Sequence, residues 1–127
     1  MRDETAEWIT QAEYDIDTAQ AMFEAGRYIY CVFMSHLAIE KSLKAMVVEY
    51  FGEAPPKTHN LIYLLKSSKV ELSDSQVRFI AQLNTAAVAT RYPDELKMLI
   101  EKYPSSIAGK YLGNAREVIK CLKQQVT

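Results

Sequence analysis

The feature that most constrains the fold is a long stretch, residues 28–51, without Gly or Pro and with helical periodicity of its apolar residues. On a helical wheel these residues fall into two sectors: Tyr28, Val32, Ile39, Leu43, Met46 and Tyr50 in one, and Ile29, Phe33, Leu37, Val47 and Phe51 in the other. Such a helix needs cover on more than one side, because a large exposed apolar surface is unfavourable in water. We expect either the central helix of the fold or a helix whose second face contacts another subunit, and both can hold together.

The same periodicity predicts three more long helices. They are expected over about residues 5–25, from about 74 to 92, and from about 105 onwards, and a short helix is expected after its N-cap Thr58. In the first helix the apolar stripe is formed by Trp8, Ala12, Ile16, Ala19 and Phe23, and Asp15, which lies off that stripe, is expected to face water. Residues 94–103 fit either a helical turn or a packed loop. Short connections between long helices favour antiparallel neighbours. We therefore expect an all-α fold, an antiparallel up-and-down four-helix bundle with an additional short helix, formed by residues 1–127 as a single domain.

Composition excludes several classes of function. The net charge of −1 argues against a protein that binds nucleic acid through its whole surface. Cys31 and Cys121 belong to no CxxC pair, and two histidines are too few for a multi-histidine metal site, so we expect no metal and no cofactor. No targeting segment and no run of membrane-spanning length is apparent, which predicts a cytoplasmic protein without membrane contact.

Polar residues at four-residue spacing mark one candidate binding site in the second helix. His36, Glu40 and Lys44 share one edge of that helix. One interpretation is a surface ion pair beside a hydrogen-bonded histidine, since such pairs are common. The other is a polar strip between two apolar faces that lines a cleft at a subunit boundary.

A second candidate site lies on the fourth helix, where Asn84 and Arg91 occupy positions of the apolar stripe that would suit Leu or Ile. A buried arginine needs a partner, because an unpaired buried ion costs several kcal/mol. Arg91 can pair with a carboxylate such as Asp94, or its guanidinium can bind a phosphate or carboxylate in a groove. His59, next to the predicted N-cap, is expected to be a packing or capping residue unless a partner makes it an acid or base.

Three segments resemble the HEPN family. Residues 35–45, SHLAIEKSLKA, are similar to its EKxLKA signature, residues 56–61, PKTHNL, to its PxTHxL element, and residues 90–94, TRYPD, to its RYP segment. The resemblance implies an antiparallel α-bundle that pairs as a homodimer and associates with small nucleotidyltransferases. Many members are metal-independent RNases with an arginine and a histidine four to six positions later. Arg91 matches that arginine, but Glu95, Leu96 and Lys97 stand where the histidine should be.

The leading hypothesis is therefore a non-catalytic or weakly catalytic HEPN interaction module. We expect a homodimer that is the partner of a small nucleotidyltransferase in a toxin–antitoxin-like pair, with a groove for a nucleotide or RNA and no assigned catalytic residue. The alternatives are a metal-independent RNase whose rearranged active site uses Arg91, Asp94 and one histidine, or a protein that binds a small ligand or nucleotide.

Overall fold

The computed structural model of the protein describes residues 1–91 and 94–127, without the side chain of Arg91. Within these ranges the chain forms helices and no strand: α1 (Asp3–Glu24), α2 (Tyr28–Phe51), α3 (Leu61–Ser67), α4 (Asp74–Arg91), α5 (Leu96–Lys102) and α6 (Ser105–Gln124). The all-α prediction is confirmed. Residues 96–102, which the sequence left between a helical turn and a loop, form the short helix α5. No helix in the described ranges is both long and apolar enough to cross a membrane.

Polar contacts between α1 and α2 show that these helices run antiparallel. The Thr5 hydroxyl, near the start of α1, donates to Oε1 of Glu49 near the end of α2 at 2.9 Å. Further along α1, Asp15 pairs with Lys41 of α2 at 2.8 Å. The partner's number falls as the position along α1 rises, as an antiparallel pair requires. Asp15 is buried, so the sequence-based expectation that it faces water is wrong; its partner comes from the neighbouring helix.

Helix α6 is antiparallel to α1 by the same criterion. Lys123 Nζ lies 2.7 Å from Glu13 Oε1, and Arg116 donates to Gln20 at 3.3 Å. Helix α4 packs on both α2 and α6, and one continuous apolar core joins the long helices. The arrangement is the up-and-down bundle that the sequence predicts.

Helix α2 is the central element of the fold, because it packs against each of the other five helices. In its first sector Val32, Ile39 and Leu43 are fully buried, and in its second sector Ile29 and Val47 are buried too. The chain itself therefore covers most of both sectors, which confirms the central-helix interpretation. Full burial of such aliphatic side chains stabilises the folded state by about 1.5–3 kcal/mol each.

The start of α3 differs from the prediction. Its N-cap is Asn60, whose Oδ1 accepts hydrogen bonds from the backbone N–H groups of Ile62 and Tyr63. Thr58 lies two residues earlier and accepts from the backbone N–H of Asn60 at 3.1 Å. Asparagine and threonine are both good N-caps, so the residue types alone could not decide between them. His59 consequently lies in the loop that precedes the helix.

Glycine ends α2 where the chain must take a left-handed conformation. Gly52 has φ 68° and its N–H bonds to the carbonyl of Val48, as is common at helix C-termini. A Cβ atom at this position would lie 3.0 Å from the guanidinium of Arg2. The backbone conformation therefore favours glycine here.

Candidate functional site

A buried carboxylate from the middle of α2 is the centre of the polar cluster that the sequence indicated. Glu40 is only 3% exposed. Its Oε2 accepts a hydrogen bond from Nζ of Lys44, one helical turn later, at 3.1 Å. Its Oε1 lies 2.9 Å from Nδ1 of His59. Each of the two oxygens thus has a partner, and such partners offset the cost of burying a carboxylate.

Lys44 is held from two sides. It bonds to Glu40, and its Nζ lies 5.6 Å from the centroid of the Trp8 ring of α1, a cation–π geometry. Lys44 is itself buried. The pair is therefore an interior ion pair packed against an aromatic ring and not the solvated pair of the first interpretation. Trp8 belongs to the predicted apolar stripe of α1, but its role beside Lys44 could not be read from that stripe.

His36, one turn before Glu40 on α2, belongs to the same strip. It is 2% exposed, and its Nδ1 lies 4.0 Å from Oε1 of Glu40. The structure therefore brings together the four predicted residues His36, Glu40, Lys44 and His59. We call this group the Glu40 cluster.

His59 is the exposed member of the Glu40 cluster. Its side chain is 64% exposed, whereas the carboxylate that it contacts is buried. Because a carboxylate can only accept, the Nδ1 of His59 is the donor, and in the neutral ring the opposite nitrogen, Nε2, is an acceptor. A histidine oriented by a carboxylate in this way can take or give a proton or bind a ligand.

Asn84 has a structural partner. Its Oδ1 accepts a hydrogen bond from the backbone N–H of Leu61 at 2.9 Å, and its Nδ2 lies 3.5 Å from Oδ1 of Asn60. Asn84 of α4 therefore satisfies the first N–H group of α3, which has no partner within its own helix. This contact explains why an amide stands on an otherwise apolar stripe.

The end of α4 and the segment after it contain the remaining predicted residues. Arg91 is the last residue of α4, and its side chain lies outside the described residues, as do Tyr92 and Pro93. Asp94 is exposed. The proposed contact between Arg91 and Asp94 therefore stays a prediction. The exposed residues Glu95, Leu96 and Lys97 follow, so no histidine stands at the three positions where the nuclease motif of the family has one.

Among the residues that the structure describes, no group of three or more His, Cys, Asp or Glu side chains is suited to hold a metal ion. The Glu40 cluster provides two imidazoles, one carboxylate and one ammonium group. Because Lys44 is bonded to Oε2 of Glu40, that oxygen is not free to bind a metal ion. The chemistry that the cluster fits is proton transfer or polar recognition by His59.

A comparison with models of known families identifies the family of this chain. The HEPN domain model matches residues 5–125. The crystal structure of TT1696 from Thermus thermophilus is similar, with a TM-score of 0.85, 21% identity, and coverage of 97% of this chain and 98% of that one. The structure of ST0689, described as an archaeal HEPN homologue, has a TM-score of 0.77 and 24% identity, with 100% coverage of both chains. No curated protein matches the chain. The chain belongs to the HEPN domain family, as the family model's match to nearly its whole length shows.

Proposed function

We propose that this HEPN domain is an interaction module that works as a homodimer and as the partner of a small nucleotidyltransferase in a toxin–antitoxin-like pair. In this proposal its polar residues bind a nucleotide or RNA without cleaving it. The absence of a histidine at positions 95–97 supports a binding role, because cleavage of RNA without a metal needs a group that transfers protons. The observation that carries the interaction role is an apolar groove on the surface.

This groove, which we call the α2–α5 groove, lies between the start of α2 and helix α5. Its volume is about 280 Å³, and buried Tyr103 contributes to its lining. Three large side chains at the groove are unusually exposed: Tyr30 at 56%, Leu96 at 56% and Ile100 at 53%. Clustered apolar and aromatic side chains on a surface are typical of protein contacts. We assign the groove to a second copy of this chain, since HEPN domains often form homodimers.

Sedimentation equilibrium tests the dimer. We expect the wild-type protein to be dimeric at micromolar concentration and Ile100→Glu to be monomeric, because the new carboxylate would be desolvated in the contact. Tyr14→Glu is the matched control: Tyr14 of α1 is 75% exposed and does not line the groove. A wild-type protein that is monomeric at high micromolar concentration would overturn the homodimer.

The nucleotidyltransferase partnership has a separate test. If the adjacent reading frame encodes a small nucleotidyltransferase, co-expression should yield a complex that survives size-exclusion chromatography. A neighbouring nucleotidyltransferase that shows no complex with this chain at micromolar concentrations would refute this part of the proposal. The homodimer measurement stands independently of that result.

The second candidate function is a metal-independent RNase that uses Arg91, Asp94 and a histidine. The contact between Glu40 and His59 favours it, because an oriented imidazole is a competent acid or base. The protein should be incubated with structured and unstructured RNA in the presence of EDTA. We expect no cleavage; cleavage that both Arg91→Ala and His59→Ala abolish would replace the binding proposal with the RNase.

Nucleotide binding without cleavage has its own measurement. A nucleotide that binds the folded state raises the melting temperature by mass action. We expect such a rise for the wild-type protein and none for Arg91→Glu, in which an anion-binding guanidinium is replaced by a carboxylate. An equal rise in both proteins would exclude Arg91 as the anchor.

A further inference from the structure

A second cleft, which has the lining residue Tyr103 in common with the α2–α5 groove, has the properties of a ligand site. It lies between α4 and α6, beside the end of α5, with a volume of about 570 Å³. Small-molecule sites commonly occupy about 300–1,000 Å³. We call it the tyrosine cleft after two of its lining residues, Tyr103 and Tyr111. No member of the Glu40 cluster lines it, so it is separate from the site described above.

Three aromatic rings form one wall of the tyrosine cleft. The ring centroids of Phe79 and Tyr111 are 5.8 Å apart, and those of Tyr103 and Tyr111 are 6.3 Å apart, with tilted planes. Phe79 and Tyr103 are buried, which fixes the rings in place. The cleft is open because α4 presents the small residues Ala86 and Ala89 towards it. A cleft lined by aromatic rings and by small side chains provides room for a flat, apolar group.

The charged residues at the tyrosine cleft are all basic. Lys102 and Lys110 line it, and no aspartate or glutamate is among its described lining residues. The salt bridges between described residues involve neither lysine. In a chain whose net charge is −1, two lysines without a nearby acidic lining residue create a local positive field that attracts an anion.

Neutral polar groups complete the lining. Gln82, Thr85 and Asn114 supply amide and hydroxyl groups. Burial raises the pKa of both Tyr103 and Tyr111 above the ordinary phenol value. Both phenols therefore stay protonated and uncharged at neutral pH, and neither repels an anion.

We propose that the tyrosine cleft binds a planar aromatic anion of one or two fused rings. The ring packs against Phe79, Tyr103 and Tyr111, and the carboxylate or similar anionic group pairs with Lys102 and Lys110. The shape of the wall selects a flat apolar body, and the two lysines select a negative charge. No residue of the Glu40 cluster takes part in this binding, and the binding does not require the proposed homodimer.

Titration of ¹⁵N-labelled protein with 2-naphthoate, followed by NMR, tests the proposal. We expect saturable shifts of the amide signals of Lys102, Lys110 and Asn114, and no comparable shifts around Glu40. Neutral 2-naphthalenemethanol and the non-aromatic anion cyclohexanecarboxylate should each bind at least about tenfold more weakly, since each lacks one interaction worth about 1.4 kcal/mol or more. Equal binding of the neutral alcohol, or no saturable shift with 2-naphthoate, would overturn the proposal.

Two kinds of variant locate the binding. The double variant Lys102→Gln/Lys110→Gln should weaken 2-naphthoate binding by about tenfold or more, while Lys66→Gln/Lys120→Gln, which removes two exposed lysines outside the cleft, should leave it unchanged. Ala89→Leu should block binding by filling the cleft. If Ala89→Leu fails to fold, the two double lysine variants still test the site. Equal affinities of these two variants for 2-naphthoate would contradict the assignment of the ligand to the tyrosine cleft.

Discussion

The Nδ1 of His59, on a loop, lies 2.9 Å from Oε1 of Glu40, a buried carboxylate in the middle of the central helix. This contact joins an exposed group that can exchange protons with solvent to the interior of the bundle. The other oxygen of Glu40 is bonded to Lys44. The cluster therefore combines a structural ion pair with an accessible imidazole, and these two roles can be separated by substitution.

Removal of Lys44 should destabilise the fold strongly. In Lys44→Met the buried Glu40 carboxylate loses the cation bonded to its Oε2 and depends on the exposed His59. Breaking a buried ion pair costs about 3–5 kcal/mol, and removing both charges costs much less. We expect a loss of this size in urea unfolding and substantial recovery in Glu40→Gln/Lys44→Met. The control is Lys66→Met, on the exposed surface of α3, which should change the unfolding free energy by less than about 0.5 kcal/mol. If Lys44→Met and Lys66→Met changed the unfolding free energy by similar amounts, this would argue against the buried pair.

Asn84 should act through stability. Asn84→Ala leaves the backbone N–H of Leu61 without its acceptor, which costs about 1–3 kcal/mol for a buried donor. Asn84→Asp keeps an acceptor oxygen and should lose less. Urea unfolding of the two variants measures the difference. If Asn84→Ala left the stability unchanged but abolished nucleotide binding, Asn84 would instead contact the nucleotide directly.

Glu49 should make the stability depend on acidic pH. The backbone N–H of Arg2, and to a smaller extent the Thr5 hydroxyl, lower the pKa of Glu49 below its ordinary value of 4.5. A carboxyl with a lowered folded-state pKa stabilises the protein above the unfolded-state pKa, and this contribution is lost as pH falls through the folded-state value. The wild-type protein should therefore melt higher than Glu49→Gln near neutral pH, and the difference should shrink as the pH is lowered through about 4 to about 3.

The matched control for Glu49 is Glu101→Gln, a substitution on the exposed side of α5. Its melting temperature should follow that of the wild type across the same pH range. If the melting temperatures of the wild type and Glu49→Gln differed by the same amount at both ends of the pH range, the contacts of Arg2 and Thr5 would not favour the ionised form of Glu49.

The two thiols should differ in reactivity. Burial raises the pKa of Cys31 to about 11, although the Ser35 hydroxyl and the charge of Arg116 act in the opposite direction. At pH 8 about 0.1% of this thiol would be ionised, and it is also shielded from solvent, whereas Cys121 is partly exposed. A disulfide reagent such as DTNB should titrate Cys121 quickly and Cys31 only as the protein unfolds.

Single-thiol variants assign the two phases. Cys121→Ser should lose the fast phase, and Cys31→Ser should lose the slow one. In denaturant both thiols of the wild type should react together. A Cys121→Ser protein that still reacts quickly in its native state would contradict the burial of Cys31.

Regular elements were predictable because their signals are local. The bounds of α2 follow from apolar periodicity and from glycine at position 52, and the i, i+4 spacing indicated the contact between Glu40 and Lys44. Contacts across elements were not predictable in the same way. Asp15 lies off the apolar stripe of its own helix but pairs with Lys41 of another, and His59 reaches Glu40 through an irregular loop. The tyrosine cleft depends on the spacing between α4 and α6, which no local pattern fixes.

The enclosure of α2 by five other helices has a consequence for hydrogen exchange. Backbone amides in the middle of α2 should exchange with deuterated solvent only when the whole bundle unfolds, so their exchange should report the global free energy of unfolding. Helix α5 is short and exposes most of its residues, with Leu99 as its main buried anchor, so its amides should exchange through smaller, local openings. The α2–α5 groove would then be lined on the α2 side by slowly exchanging amides and on the α5 side by rapidly exchanging amides. If the α5 amides exchange more slowly at high protein concentration, a second copy of the chain is bound in the groove.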